Sequence, residues 1–184
     1  MSKQPCIVVD NRSLPLFVYK GVVILIPDSL GKKAESKIKE WLDRPADGYC
    51  IDRIYDQLSG FYGSKNVSDF TLYKQPYFYY IESKATYDDS FKFSMLTEYQ
   101  YSNLLRKSEI KGVYGVVIVL YASYQRAFIF DIRDIDKLAK EKDKHSLNIK
   151  KIDKWTIPYV EIKTIPSRKA LLDYTGEFNF PKER

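Results

Sequence analysis

From Tyr77 to Ala85 the side chains alternate. Phe78, Tyr80, Glu82 and Lys84 fall on one face of a strand, and Tyr77, Tyr79, Ile81 and Ser83 on the other. Asp69–Tyr73 predicts a strand just before it, with Lys74-Gln75-Pro76 as the turn between them. Upstream, Leu30, Ala34, Ile38, Trp41 and Leu42 recur near helical spacing, with Asp28 or Ser29 placed to cap that helix. A shorter helix is expected from about Ile51 to Leu58, ending at Gly60. Nearer the start, the β-rich runs Cys6–Val9 and Phe17–Ile26 flank Asn-Arg-Ser-Leu-Pro and predict a hairpin or two short strands.

Downstream, Tyr87 to Lys92 is polar and reads as a loop. A helix follows from about Thr97 to Ser108, with Ser94 or Thr97 as its candidate cap. Val113–Tyr121 predicts a strand, and Val116 to Leu120 lacks any polar interruption, as expected where both faces are covered. Ala127–Ile132 predicts the next strand, and Asp134 the cap of a charged helix reaching about Lys142. A short strand around Trp155–Ile162 and a last helix from Ser167 through Tyr174 complete the pattern. Helices interleaved with strands, without repeat or flexible linker, predict an α/β fold with a mixed sheet, in one domain spanning residues 1–184.

Composition narrows the classes. Apolar residues are 45% and charged residues 29%, the balance of a folded chain. No apolar run approaches the roughly 20 residues that cross a bilayer, and Val22 to Ile26 is too short for a signal peptide. The expectation is a cytoplasmic protein. Cys6 and Cys50 are too few for a disulfide framework and read as free thiols. The one histidine, His145, lies in a lysine-rich polar stretch and reads as solvated. Zinc sites built on Cys or His, and a Ser-His-Asp triad, are therefore unsupported, and no Gly-rich phosphate loop or dinucleotide fingerprint points to a nucleotide cofactor. The net charge of +6, from 30 Lys and Arg against 24 Asp and Glu, suits a polyanionic partner. Sixteen tyrosines can serve bases or phosphates, but they also fill cores.

The remaining chemistry is carboxylate and lysine chemistry. A hairpin that sets Asp69 beside Glu82 brings two carboxylates to one hard divalent cation, for which Mg²⁺ prefers oxygen ligands and Mn²⁺ is an alternative. Ser83 turns its side chain away, but its backbone carbonyl is a further oxygen. Lys84 projects beside the ion, where it can orient or help deprotonate an attacking water and offset phosphate charge.

Ser68-Asp69 followed thirteen residues later by Glu82-Ser83-Lys84 resembles the D…(E)xK signature of the PD-(D/E)XK nuclease superfamily. Within it the chain is most similar to RecU-type Holliday-junction resolvases, because Tyr99-Gln100 stands at the head of the next helix, where that family has a glutamine. The resemblance covers a core of about residues 29–135. The family's protruding stalk segment has no recognisable counterpart, and the turn between Asp69 and Glu82 leaves little room for one. The resemblance implies a restriction-endonuclease-like mixed sheet with an αβββαβ core flanked by helices. It makes Asp69 and Glu82 metal ligands and Lys84 the water-positioning lysine. Glu35 becomes a metal-binding or supporting carboxylate, and Gln100 a residue that orients Lys84, the water or a phosphate. It further implies a homodimer that cuts branched DNA. The competing readings are a restriction- or repair-type endonuclease on duplex DNA and a non-catalytic DNA-binding subunit. Asp88 and Asp89, just beyond the strand, read as solvated loop residues, as do most tail lysines.

Overall fold

The computed structural model describes residues 16–19, 22–25, 30–54, 66–166 and 172–180. In chain order the elements are β1 (Leu16–Tyr19), β2 (Val22–Leu25), α1 (Leu30–Leu42), β3 (Tyr49–Arg53), β4 (Phe70–Lys74), β5 (Tyr77–Thr86) and β6 (Ser90–Lys92). Then come α2 (Glu98–Lys107), β7 (Val113–Tyr121), β8 (Arg126–Asp131), α3 (Ile132–Lys142), β9 (Ser146–Asn148), β10 (Val160–Pro166) and β11 (Leu172–Thr175).

Seven strands form one mixed sheet in the order β11-β10-β8-β7-β5-β4-β3. Only β5 and β7 are parallel, from Phe78 opposite Val113 to Thr86 opposite Tyr121, and α2 lies in the connection between them. With the short β6, which pairs outside this sheet, set aside, the succession α1-β3-β4-β5-α2-β7 is the αβββαβ order the resemblance implied. One face of the sheet packs under α1, where Ala34, Ile38, Trp41 and Leu42 meet Phe70, Leu72, Tyr79 and Ile81. Phe178 and Phe180, from the segment after β11, close that core. On the other face, Leu104 of α2 and Ile132, Ile135 and Leu138 of α3 pack with Val117, Val119, Phe128 and Phe130. Strand β7 is thus covered on both sides, which accounts for its unbroken apolar run.

Several boundaries differ from the sequence expectation. The helix expected from Ile51 is strand β3 up to Arg53, with its remainder outside the described residues. Tyr49 and Ile51 are buried while Cys50 and Asp52 are exposed, so a period of two decides against the helix. The run Phe17–Ile26 is not one strand, since β1 and β2 pair antiparallel within it; Cys6–Val9 and the caps Asp28 and Ser29 lie outside the described residues. The loop Tyr87 to Lys92 ends in β6, which pairs with β9. The cap of α3 is Asp131, whose carboxylate accepts from the Arg133 N–H at 2.8 Å; Asp134 is buried inside the first turn. The strand expected at Trp155 begins at Val160, because the Trp155 ring is drawn inward and its Nε1 donates to the Asn148 carbonyl. Leu172–Thr175 is strand rather than helix, held by antiparallel pairing to β10, and Ser167 lies outside the described residues. Cys50 is a free, exposed thiol and His145 is exposed. No helix among the described residues is long and apolar enough to cross a membrane.

The docking of α2 decides where the site's upper wall stands. Ser108, its C-cap, donates to the Leu104 carbonyl at 2.9 Å and accepts the Gly115 N–H of β7 at 2.7 Å. A Cβ built on Gly115 would meet the Leu104 carbonyl oxygen at 2.7 Å and Ser108 Oγ at 2.8 Å. Tyr101 ties the same helix to α3 by donating to Asp136 at 2.8 Å. Gly115→Ala is expected to lower stability by about 1–3 kcal/mol, read as a fall in melting temperature of about 2–12 °C. Gly31→Ala, at a helical position facing open space, should leave the melting temperature unchanged or raise it.

Candidate active site

Strands β4 and β5 pair from Lys74–Tyr77 as far as Phe70–Ile81, and the Asp69 N–H adds one last bond to the Ile81 carbonyl. Beyond it β4 has no further residue on the ladder, while β5 continues against β7 to Thr86. The edge of β5 so released is taken up by a side chain: Asp69 Oδ2 accepts the Ser83 N–H at 2.7 Å. In an extended strand a residue's N–H and C=O share one edge, so the Ser83 carbonyl faces the same side as Asp69. The thirteen-residue step of the sequence is therefore a hairpin of two strands plus the one-residue overhang that carries Asp69.

On the face covered by α2, Glu82 and Lys84 meet. Lys84 Nζ stands 2.7 Å from Glu82 Oε1, with side-chain exposures of 17% and 1%. Gln100 joins them. Its Nε2 donates to the same Glu82 oxygen at 2.7 Å, and its Oε1 accepts from Lys84 Nζ at 3.4 Å. The orientation of that amide is fixed by charge, since the carboxylate only accepts and the ammonium only donates.

Gln100 reaches the pair because it is also the third residue of α2. Thr97 caps the helix by accepting the Gln100 N–H at 3.2 Å, and Gln100 Oε1 accepts the Thr97 N–H at 3.1 Å. One glutamine thus completes a capping box and braces a buried carboxylate.

Glu82 Oε1 is saturated; Oε2 is not. It is buried and meets no hydrogen-bond donor among the described residues. Its carboxyl is pushed up to about 7, first by burial and then by the charge of Asp69, against the opposing pull of Lys84. Glu35 on α1 adds to the rise through its own charge, but its carboxylate is engaged in an ion pair with Arg53 at the end of β3. Two carboxylates forced together at the cost of ionising one are what a divalent cation relieves. Among the described residues no cluster of three or more His, Cys, Asp or Glu side chains could hold a metal alone. The available donors are Asp69, Glu82 and the Ser83 carbonyl, which fits an ion that retains several waters.

Of the six residues singled out from sequence, Glu82, Lys84 and Gln100 are joined by direct hydrogen bonds and an ion pair, Asp69 is hydrogen-bonded to the backbone N–H of Ser83 between them, and Glu35 is paired with Arg53. Arg53 was not foreseen, because its segment was read as helix; the alternation of Tyr49 and Ile51 was the signal. Asp88 is exposed, as expected. The Asp89 side chain is likewise open to solvent, and there it accepts from the Tyr124 hydroxyl and pairs with Lys150 at 2.6 Å.

The sequence model of the family described as recombination protein U (RecU) matches residues 53–177. The chain belongs to the RecU family. The matched span includes Asp69, Glu82, Lys84 and Gln100 and leaves out Glu35. Among solved structures the chain is similar to Archaeoglobus fulgidus Hjc, a Holliday junction resolvase from an archaeal hyperthermophile, at 13% identity and a TM-score of 0.45, over 64% of this chain and 88% of that one. No curated protein sequence matches it.

The raised Glu82 carboxyl gives a measurable signature. Its unfolded counterpart titrates near 4.5 and the folded one near 7, so the stability it contributes is complete below the lower value and is lost as pH rises through the upper. Glu82→Gln, which cannot ionise, should therefore gain on the wild-type protein as pH rises in metal-free buffer. The melting temperature difference between them is expected to widen by about 5–10 °C from about pH 5 to about pH 8. A flat difference would mean that the carboxyl is not buried as described.

Proposed function

We propose that the protein is a metal-dependent endodeoxyribonuclease that resolves four-way DNA junctions in the cytoplasm, working as a homodimer. The observation that carries the reading is the Glu82 carboxylate. One of its oxygens is braced by Lys84 and Gln100, and the other is buried, unpartnered and set beside Asp69. Membership of the RecU family supports the choice of substrate, and the similar Hjc chain is described as a Holliday junction resolvase.

A divalent cation, Mg²⁺ or Mn²⁺, held by the carboxylates of Asp69 and Glu82 and the Ser83 carbonyl, would lower the pKa of water and neutralise phosphate charge. Lys84, fixed against Glu82, orients the attacking water and offsets the negative charge that builds on the phosphate. Gln100 keeps that ammonium and the carboxylate in register. Arg53 holds Glu35 close enough to act through its charge without adding a third ligand. Water attacks phosphorus as the bond to the 3′ oxygen breaks, leaving 5′-phosphate and 3′-hydroxyl ends. Two symmetric cuts in a two-fold junction require two such sites, which a C₂ dimer supplies.

Lys84→Ala, Glu82→Gln and Asp69→Asn are each expected to reduce junction cleavage by at least about 10³-fold, while junction binding changes only a few-fold in a gel-shift assay. Chelation should stop cleavage and Mg²⁺ or Mn²⁺ restore it. A panel of duplex, flap, fork and four-way substrates separates the alternatives. Equal cutting of plain duplex would favour a restriction- or repair-type nuclease. Binding without any cutting, in either metal, would make the protein a non-catalytic DNA-binding subunit.

A further inference from the structure

Two sets of side-chain contacts join β5 to α2. Besides the cluster of Glu82, Lys84 and Gln100, Lys107 Nζ donates to the Tyr80 hydroxyl at 3.2 Å and stands 4.3 Å from the centre of the Tyr80 ring. Tyr80 precedes Glu82 by two residues on β5, and its ring packs with the core under α2, on the face that carries Glu82 and Lys84. The second set of contacts therefore lies about 7 Å from the first along the strand. That span is about two nucleotides of axial rise along one DNA strand.

Lys107 is held without being neutralised. Lys37, Lys39, Lys84, Lys140 and Lys150 each pair with a carboxylate, whereas among the described residues no carboxylate pairs with Lys107. A hydroxyl oxygen and a ring face fix the position of an ammonium but leave its charge in place. Lys107 and Tyr80 are both half-buried, where a charge acts more strongly than in open water. Their open side is that of β4. Of the strand residues opposite Tyr80, Gly115 on β7 lies under α2, whereas Thr71 on β4 is half-buried and shares the face of Tyr80. Beyond it Tyr73, Cys50 and Asp52 are exposed on the same face of β4 and β3. The acid among them, Asp52, stands two strands from Tyr80, roughly 10 Å away. The helix α2 thus walls one side of an open strip of sheet, with Lys107 on that wall and Asp69 immediately before the first residue of β4.

We propose that Lys107, oriented by Tyr80, is a positioning residue that binds a backbone phosphate of the cleaved strand about two nucleotides from the scissile one. The proposal rests on the nuclease reading above and adds to it a contact outside the metal site that sets the register of the strand. Backbone phosphates stay accessible in a fully paired junction, and a contact to one carries no base preference. Lys107 touches none of the reacting atoms, so its removal should weaken substrate binding more than the chemical step.

The test uses the full chain and a four-way junction whose phosphates around the cut are replaced, one at a time, by neutral methylphosphonates. Lys107→Ala is expected to raise KM about tenfold while kcat at saturating junction stays within about threefold. Its slope of log affinity against log salt, measured without divalent metal, should fall in magnitude by about 0.9 for each site. Lys107→Arg should restore the slope, and Tyr80→Phe should raise KM by a smaller factor than Lys107→Ala. One methylphosphonate within about two nucleotides of the cut should weaken binding by the wild-type protein about tenfold and have no effect on Lys107→Ala. An unchanged KM or salt slope in Lys107→Ala, or a methylphosphonate penalty equal in both proteins at every position, would overturn the phosphate contact while leaving the nuclease intact. Absence of cutting by the wild-type protein on every substrate would instead remove the nuclease reading itself.

Discussion

Gln100 has two structural duties that cannot be separated. Its backbone and side chain complete the capping box that starts α2, and the same side chain reaches across to Glu82 and Lys84 on β5. The contacts to Glu82 and Lys84 would not exist if α2 stood further from the sheet. That distance is set at the other end of the helix, where Ser108 bonds to Gly115 and no Cβ fits between β7 and the Leu104 carbonyl. A close backbone approach at one end therefore fixes a side-chain contact at the other. This is how a helix with a single fully buried leucine holds a site residue in place.

The electrostatics of the pair follow from that geometry. An isolated buried carboxylate is costly, and one partner cation seldom repays the loss of water. Glu82 receives two donors on one oxygen and none on the other, and Asp69 stands close enough to repel it. The arrangement stores unfavourable energy in the free protein. Such stored energy is typical of sites that wait for a ligand, and the bond from the Ser83 N–H holds the Asp69 carboxylate against the residue that follows Glu82.

Much of this was legible in the residues. The alternation through β5 gave the face shared by Glu82 and Lys84, Thr97 was one of two candidate caps, and the resemblance to the resolvase family singled out Gln100. What the residues did not disclose is where pairing partners from distant parts of the chain overrule local pattern. Tyr49 and Ile51 carry the alternation of a strand, but only the pairing with β4, distant along the chain, ends that alternation in a sheet rather than a short helix. Leu172–Thr175 became strand because β10 offered an edge. In the run from Asp131 to Asp136 three aspartates compete for the cap, and the end of β8 decided for the first. Glu35 could be placed near the site from its helix, but its engagement by Arg53 required the strand that sequence alone had concealed.

The unequal lengths of the two ladders flanking β5 have a consequence for access. On one side the pairing with β7 runs to Thr86, whereas on the other it stops at Ile81. Residues 82 to 86 are thus clamped along one margin and left unzipped along the other. On that second margin the Ser83 N–H is held by the Asp69 side chain rather than by a strand, so a ligand that draws on Asp69 can be accommodated without breaking any bond between strands.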